Sequence, residues 1–112
     1  MLVPTTAGAA EFGQMLSAMG ADEVRVLALR QVDGGDRGAA ISILEQAVVH
    51  FEDAELHRML GVLYEESGRF TRAEATFRKA TDLEPTLAAA WGGLAAVLER
   101  RGRYQDALRS VD

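Results

Sequence analysis

The sequence predicts an all-α chain built from repeated helical hairpins, and three observations carry that prediction. Apolar and small residues recur at helical spacing, as His57, Leu60, Gly61 and Tyr64 do at i, i+3, i+4 and i+7. The pattern returns at an offset of 34 residues, which pairs Leu60 with Leu94, Gly68 with Gly102, Arg69 with Arg103, Phe70 with Tyr104 and Ala73 with Ala107. Upstream it recurs at an offset of 33, which pairs Leu27 with Leu60, Gly35 with Gly68, Ala40 with Ala73, Leu44 with Phe77 and Ala47 with Ala80. In the middle copy Gly68 falls where a left-handed helix terminator belongs, and a short break separates the two helical patterns of each copy.

Taken in order, the chain divides into an N-terminal segment 1–20, a degenerate first repeat 21–53, a clear second repeat 54–87 and a truncated third repeat 88–112. In the N-terminal segment Phe12, Met15, Leu16 and Met19 fall at i, i+3, i+4 and i+7. They predict an amphipathic helix from about Thr6 to Gly20 despite Gly8 and Gly13. That helix either caps the first repeat, or is a mobile segment or one that lies in the groove of its own or another copy, where two methionines suit an adaptable contact.

In the second repeat the first helix runs to Gly68. The next helix places Phe70, Ala73, Phe77 and Ala80 on one face and stops before Pro85, which cannot continue a helix and biases Glu84 out of helical geometry. Gly61, Ala73 and Ala80 let two backbones approach while Leu60, Tyr64 and Phe77 fill the space beside them. In the third repeat the chain ends partway through the second helix, just after Leu108 and Val111. The uncovered apolar residues there predict either a piece of a longer protein or association of two copies through the terminal helices.

These residues resemble the tetratricopeptide repeat family, whose signature has the form W-x2-L-G-x2-Y, then A-x3-F, then P. The second copy reads His57-x2-Leu60-Gly61-x2-Tyr64, Ala73-x3-Phe77 and Pro85, and departs only at His57. The third reads Trp91-x2-Leu94-Ala95-x2-Leu98 and Ala107-x3-Val111. The first is weaker, with Val24-x2-Leu27-Ala28-x2-Gln31, Ala40-x3-Leu44, and Glu52 where the proline would fall. The resemblance covers Ala21 to Asp112. It implies a short right-handed α-solenoid of about three antiparallel helix pairs with an N-terminal helix, and a non-catalytic scaffold that binds other proteins.

Composition fits that reading. Apolar residues make up 48% and charged residues 26% of 112 residues, the mix of one ordinary globular domain. Cysteine is absent, which removes disulfides, thiolate metal sites and thiol nucleophiles. The net charge of −5, with acids and bases interleaved, offers no basic stripe for nucleic acid. The first residues lack the basic and apolar regions of a secretion signal, and no stretch approaches a membrane span, so a cytoplasmic location is the default expectation. The two histidines, with Glu52 and Asp53, have no recognised ligand spacing, and packing accounts for His57. We expect no cofactor, no metal and no enzyme activity.

In the family the first helix of each pair lines a concave groove. Carried over by position, the resemblance implies a groove row of Arg25, Leu29 and Val32, then Arg58, Val62 and Glu65, then Gly92, Ala96 and Glu99. Leu29, Val62 and Ala96 would form an apolar centre, bordered by Arg25 and Arg58 on one side and by Glu65 and Glu99 on the other. This suits a peptide or helix with apolar anchors and charges of both signs. Gly92 and Gly93 either leave the third floor bare for a bulky partner side chain or relieve crowding beside Trp91. The lysine, arginine and asparagine clamp with which some members hold chaperone tails is missing, since the chain has no asparagine and one lysine, Lys79.

Overall fold

The fold was analysed on a computed structural model, in which residues 11–109 are described apart from Phe12 and Ser17. The helical residues 11, 13–16 and 18 lead into α1 (Ala21–Asp33), α2 (Arg37–His50), α3 (Ala54–Glu66), α4 (Phe70–Leu83) and α5 (Ala88–Arg109). Consecutive helices pack on one another and α3 also touches α5, so the chain is a stack with extents of 57 × 34 × 23 Å. The predictions for the first ten residues, Phe12 and Val111 lie outside the described residues.

The first two hairpin turns share one mechanism. Gly35 and Gly68 take φ of 85° and 78°, a region that a side chain disfavours. The reversal lets Asp36 N–H donate to Gln31 O and Arg69 N–H donate to Tyr64 O, both at 2.8 Å, which satisfies carbonyls the helix end leaves open. Each following helix starts on a cap where one is present. Asp36 accepts from Ala39 N–H at 2.9 Å and Asp53 accepts from Leu56 N–H at 3.0 Å, each worth about 1 kcal/mol. Asp53 is thus a helix cap, and His57 turns its Nδ1 to the Asp53 carbonyl oxygen at 3.0 Å.

The third repeat differs from its predicted break at Gly102. No positive φ occurs there, and α5 stays helical across it to Arg109. Glycine permits the reversal but does not impose it. In the earlier units the reversed helix buries Ala40, Leu44 and Ala47, or Ala73, Phe77 and Ala80, completely. Past Gly102 the described residues Tyr104, Ala107 and Leu108 are all exposed, so nothing among them offsets the loss of the helical hydrogen bonds.

The core forms where small residues meet Phe77. A Cβ on Gly61 would lie 2.9 Å from Phe77 Cδ1, and one on Gly93 would lie 2.3 Å from Phe77 Cε1. The ring of α4 therefore sits between the backbones of α3 and α5. At the N-terminal end Leu16 is fully buried in the same core as Val24, Ala28 and Leu44, and Met19 packs partly against it. Met15 is 47% exposed, so the predicted apolar stripe is only partly buried.

Several ion pairs link helices: Glu66 pairs with Arg37 at 3.4 Å, Glu65 with Arg100 at 3.3 Å, and Glu74 with Arg101, while Arg78 meets Glu74 within α4 at 3.1 Å. The hydrogen bond from Arg78, aided by Arg101, holds the Glu74 carboxyl below its ordinary value of 4.5. A depressed folded value means that the contribution is complete above the ordinary glutamate range and is lost as pH falls through the lowered one. Denaturant unfolding between neutral pH and pH of about 3 should therefore show stability declining below about pH 4.5. Glu74→Gln should flatten that acid limb, and an unchanged slope would remove Glu74 from the account.

Candidate functional site

The groove row belongs to the first helices, α1, α3 and α5, whose register is fixed by the core face opposite. Val24 and Ala28 on α1, Leu60 and Tyr64 on α3, and Ala90, Leu94 and Val97 on α5 are buried. Burial of those faces leaves Arg25, Leu29 and Val32, and likewise Arg58 and Val62, on a distinct face of their helices, with Val32 and Val62 still packed partly against the core.

Between α1 and α3 this produces one cleft of about 190 Å³, lined by Leu29, Val32, Arg58, Met59, Val62, Leu63 and Glu66. It gathers four of the nine row residues. Arg25 borders it through charge: its guanidinium pairs with Asp22 at 2.5 Å and acts with Arg58 on Glu55. The hydrogen bond from Arg58 is the main reason the Glu55 carboxyl lies below its ordinary value. Arg58 Nε donates to Glu55 at 2.8 Å, so the guanidinium is already oriented along the rim.

The other row residues do not line that cleft. Glu65 is turned to Arg100, which closes the step from α3 to α5. Gly92 is exposed with open space around it, Ala96 is half-buried, and Glu99 is exposed and paired with Arg103 on its own helix. Gly93 faces away from the groove and its neighbour is Phe77, so crowding by Phe77 rather than by Trp91 is what a small residue relieves there. Trp91 instead donates its indole N–H to Pro85 O at 2.8 Å.

Met59, Leu63 and Glu66 are the lining residues that the row misses. Met59 and Leu63 are core residues at 8% and 5% exposure whose edges reach the cleft wall. With Val62 and Glu66 they run i, i+3, i+4, i+7, so the signal for them was a face one residue wider than the row.

On the opposite side α2, α3 and α4 enclose a shallower cleft of about 420 Å³ that includes Glu45, His57, Tyr64 and Lys79. Tyr64 donates to the Glu45 carboxylate, and burial, reinforced by that carboxylate, pushes the phenol up to about 12. Among the described residues no three histidine, aspartate or glutamate side chains are grouped to hold a metal ion. Nor is any described helix long and apolar enough to cross a membrane.

Against known proteins, the tetratricopeptide repeat family model matches residues 25–88 and 68–112. The chain belongs to the tetratricopeptide repeat family, an all-α solenoid fold that generally serves as a scaffold for protein interaction. No curated protein matches it. Among solved structures it superposes on an N-terminally truncated MamA from Desulfovibrio magneticus RS-1 with a TM-score of 0.68 and 26% identity, covering 81% of this chain and 53% of that one. The chain thus spans about half the length of that relative. A point mutant of MamA aligns with a TM-score of 0.70 and 23% identity over 94% of this chain and 79% of that one, a likeness of fold.

Proposed function

We propose that the protein is a non-catalytic adaptor that holds an amphipathic peptide or helix of another protein in the cleft between α1 and α3. The observation that carries this is the composition of that cleft. Leu29, 48% exposed in the free chain, stands with Val32 and Val62 as apolar anchors, and Arg58 and Glu66 offer opposite charges at its edges. An apolar floor gives affinity, and flanking charges give register and a preference among partners. The row residues Glu65, Gly92, Ala96 and Glu99 lie outside that cleft and would meet only the far end of a longer segment.

The test is selection of binding segments from a library of helical peptides, followed by titration of the best of them. Arg58→Glu combined with Val62→Asp should weaken binding at least tenfold, about 1.4 kcal/mol, while circular dichroism still shows a folded helical chain. A peptide that binds parent and variant equally would place the interaction elsewhere.

A further inference from the structure

We infer that α5 is the shared element of a two-fold dimer, in which the part of the helix beyond Gly102 lies across the Leu98 end of the open face of a second copy. This goes beyond the groove and does not rest on it.

The argument comes from comparing the second and third repeats. Trp91, Ala95 and Leu98 stand 34 residues on from His57, Gly61 and Tyr64. In the second repeat all three are buried, because the chain reverses at Gly68 and α4 covers them, with Phe77 against Gly61. In the third repeat the chain does not reverse at Gly102, and the equivalent face is open: Trp91 is 50% exposed, Leu98 43%, and Ala95 is exposed as well.

The cover for that face exists in the same helix. Tyr104 and Ala107 match Phe70 and Ala73 of α4, and Leu108 follows them, yet Tyr104 is 61% and Leu108 56% exposed. A straight helix carries both the uncovered face and its cover but cannot bring them together. Two copies laid antiparallel can bring Leu98 of each against Leu108 of the other, and the exchange closes at two because the same patch is used by both. The register that sets Gly61 against Phe77 sets Tyr64 level with Glu74, and 34 residues on it sets Leu98 level with Leu108 of the other copy. Around Gly102 a Cβ would meet nothing within 4 Å, so the midpoint of the crossing is unobstructed.

The chain has no native cysteine, which makes the register directly testable. Within one straight α5, positions 98 and 108 are about 15 Å apart, too far for a disulfide. The variant Leu98→Cys/Leu108→Cys, oxidised mildly, is expected to run at twice 12.1 kDa without reductant and to return to 12.1 kDa with it, while Leu98→Cys alone forms little or none of that species. Light scattering of the unmodified chain over a concentration series should show the mass doubling, and Leu98→Asp should abolish the doubling while the variant still unfolds cooperatively. A disulfide within one chain would mean that α5 folds back at Gly102 in the single molecule, and would overturn the proposal. So would a constant 12.1 kDa, or a doubled mass that survives Leu98→Asp.

Discussion

Phe77→Ala is expected to lower the free energy of unfolding by about 3 to 5 kcal/mol, a large part of the roughly 5 to 15 kcal/mol that holds a domain of ordinary stability. The ring is completely buried and is the largest side chain in the core with no exposed surface. It contacts α3 through Gly61 and α5 through Gly93, so its removal empties the junction of three helices rather than one pair. Stacked repeats depend on their neighbour interfaces for stability, and this residue serves two of them. Urea unfolding followed by far-ultraviolet circular dichroism measures the loss. A loss under about 1 kcal/mol would mean that the stack collapses around the site and that Phe77 is not its keystone.

Gly93→Ala should destabilise the fold by about 1 to 3 kcal/mol, although alanine is the better helix former by about 1 kcal/mol. The new Cβ would lie 2.3 Å from Phe77 Cε1 and 2.5 Å from Cζ, and Gly61 stands against the same ring, so the ring has little room to yield. The neighbouring glycine supplies the control. At Gly92 a Cβ meets nothing within 4 Å, so Gly92→Ala should leave stability unchanged or raise it by up to about 1 kcal/mol. Adjacent glycines of one helix thus respond with opposite sign. In a Phe77→Leu background the penalty of Gly93→Ala should shrink, since the two sites share one space. Equal responses at the two glycines would show that helix propensity, not packing against Phe77, governs this face.

Much of the fold was legible in the sequence because the same physical problem is solved repeatedly. The buried faces of the second repeat, His57, Leu60, Gly61 and Tyr64 against Ala73, Phe77 and Ala80, were read from spacing alone, and so were the turn at Gly68 and the helix end before Pro85. The caps at Asp36 and Asp53 escaped the reading, although aspartate before a helical run is a standard signal. The cleft was half legible. Leu29, Val32, Arg58 and Val62 were named by position, carried over from the groove that the family resemblance implies. Met59 and Leu63 were not, since residues that belong to the core and also form a wall carry no separate pattern.

The charges show the boundary most clearly. Glu65, Glu66 and the arginines of α5 look like solvated faces when each helix is read alone, because helical spacing tests only partners on the same helix. Glu65 meets Arg100, and Glu66 meets Arg37, across helices that the chain brings side by side.

By itself, then, the sequence determined the helices, their buried faces, the family and the turns at Gly35 and Gly68, all set by neighbours within one repeat. The tertiary structure alone decided that Gly93 serves Phe77, that the α3 and α5 charges bridge helices, and that α5 runs straight through Gly102. Each of these depends on what lies across a helix interface, and a glycine keeps both the turn and the helix open until the burial available on either side selects one.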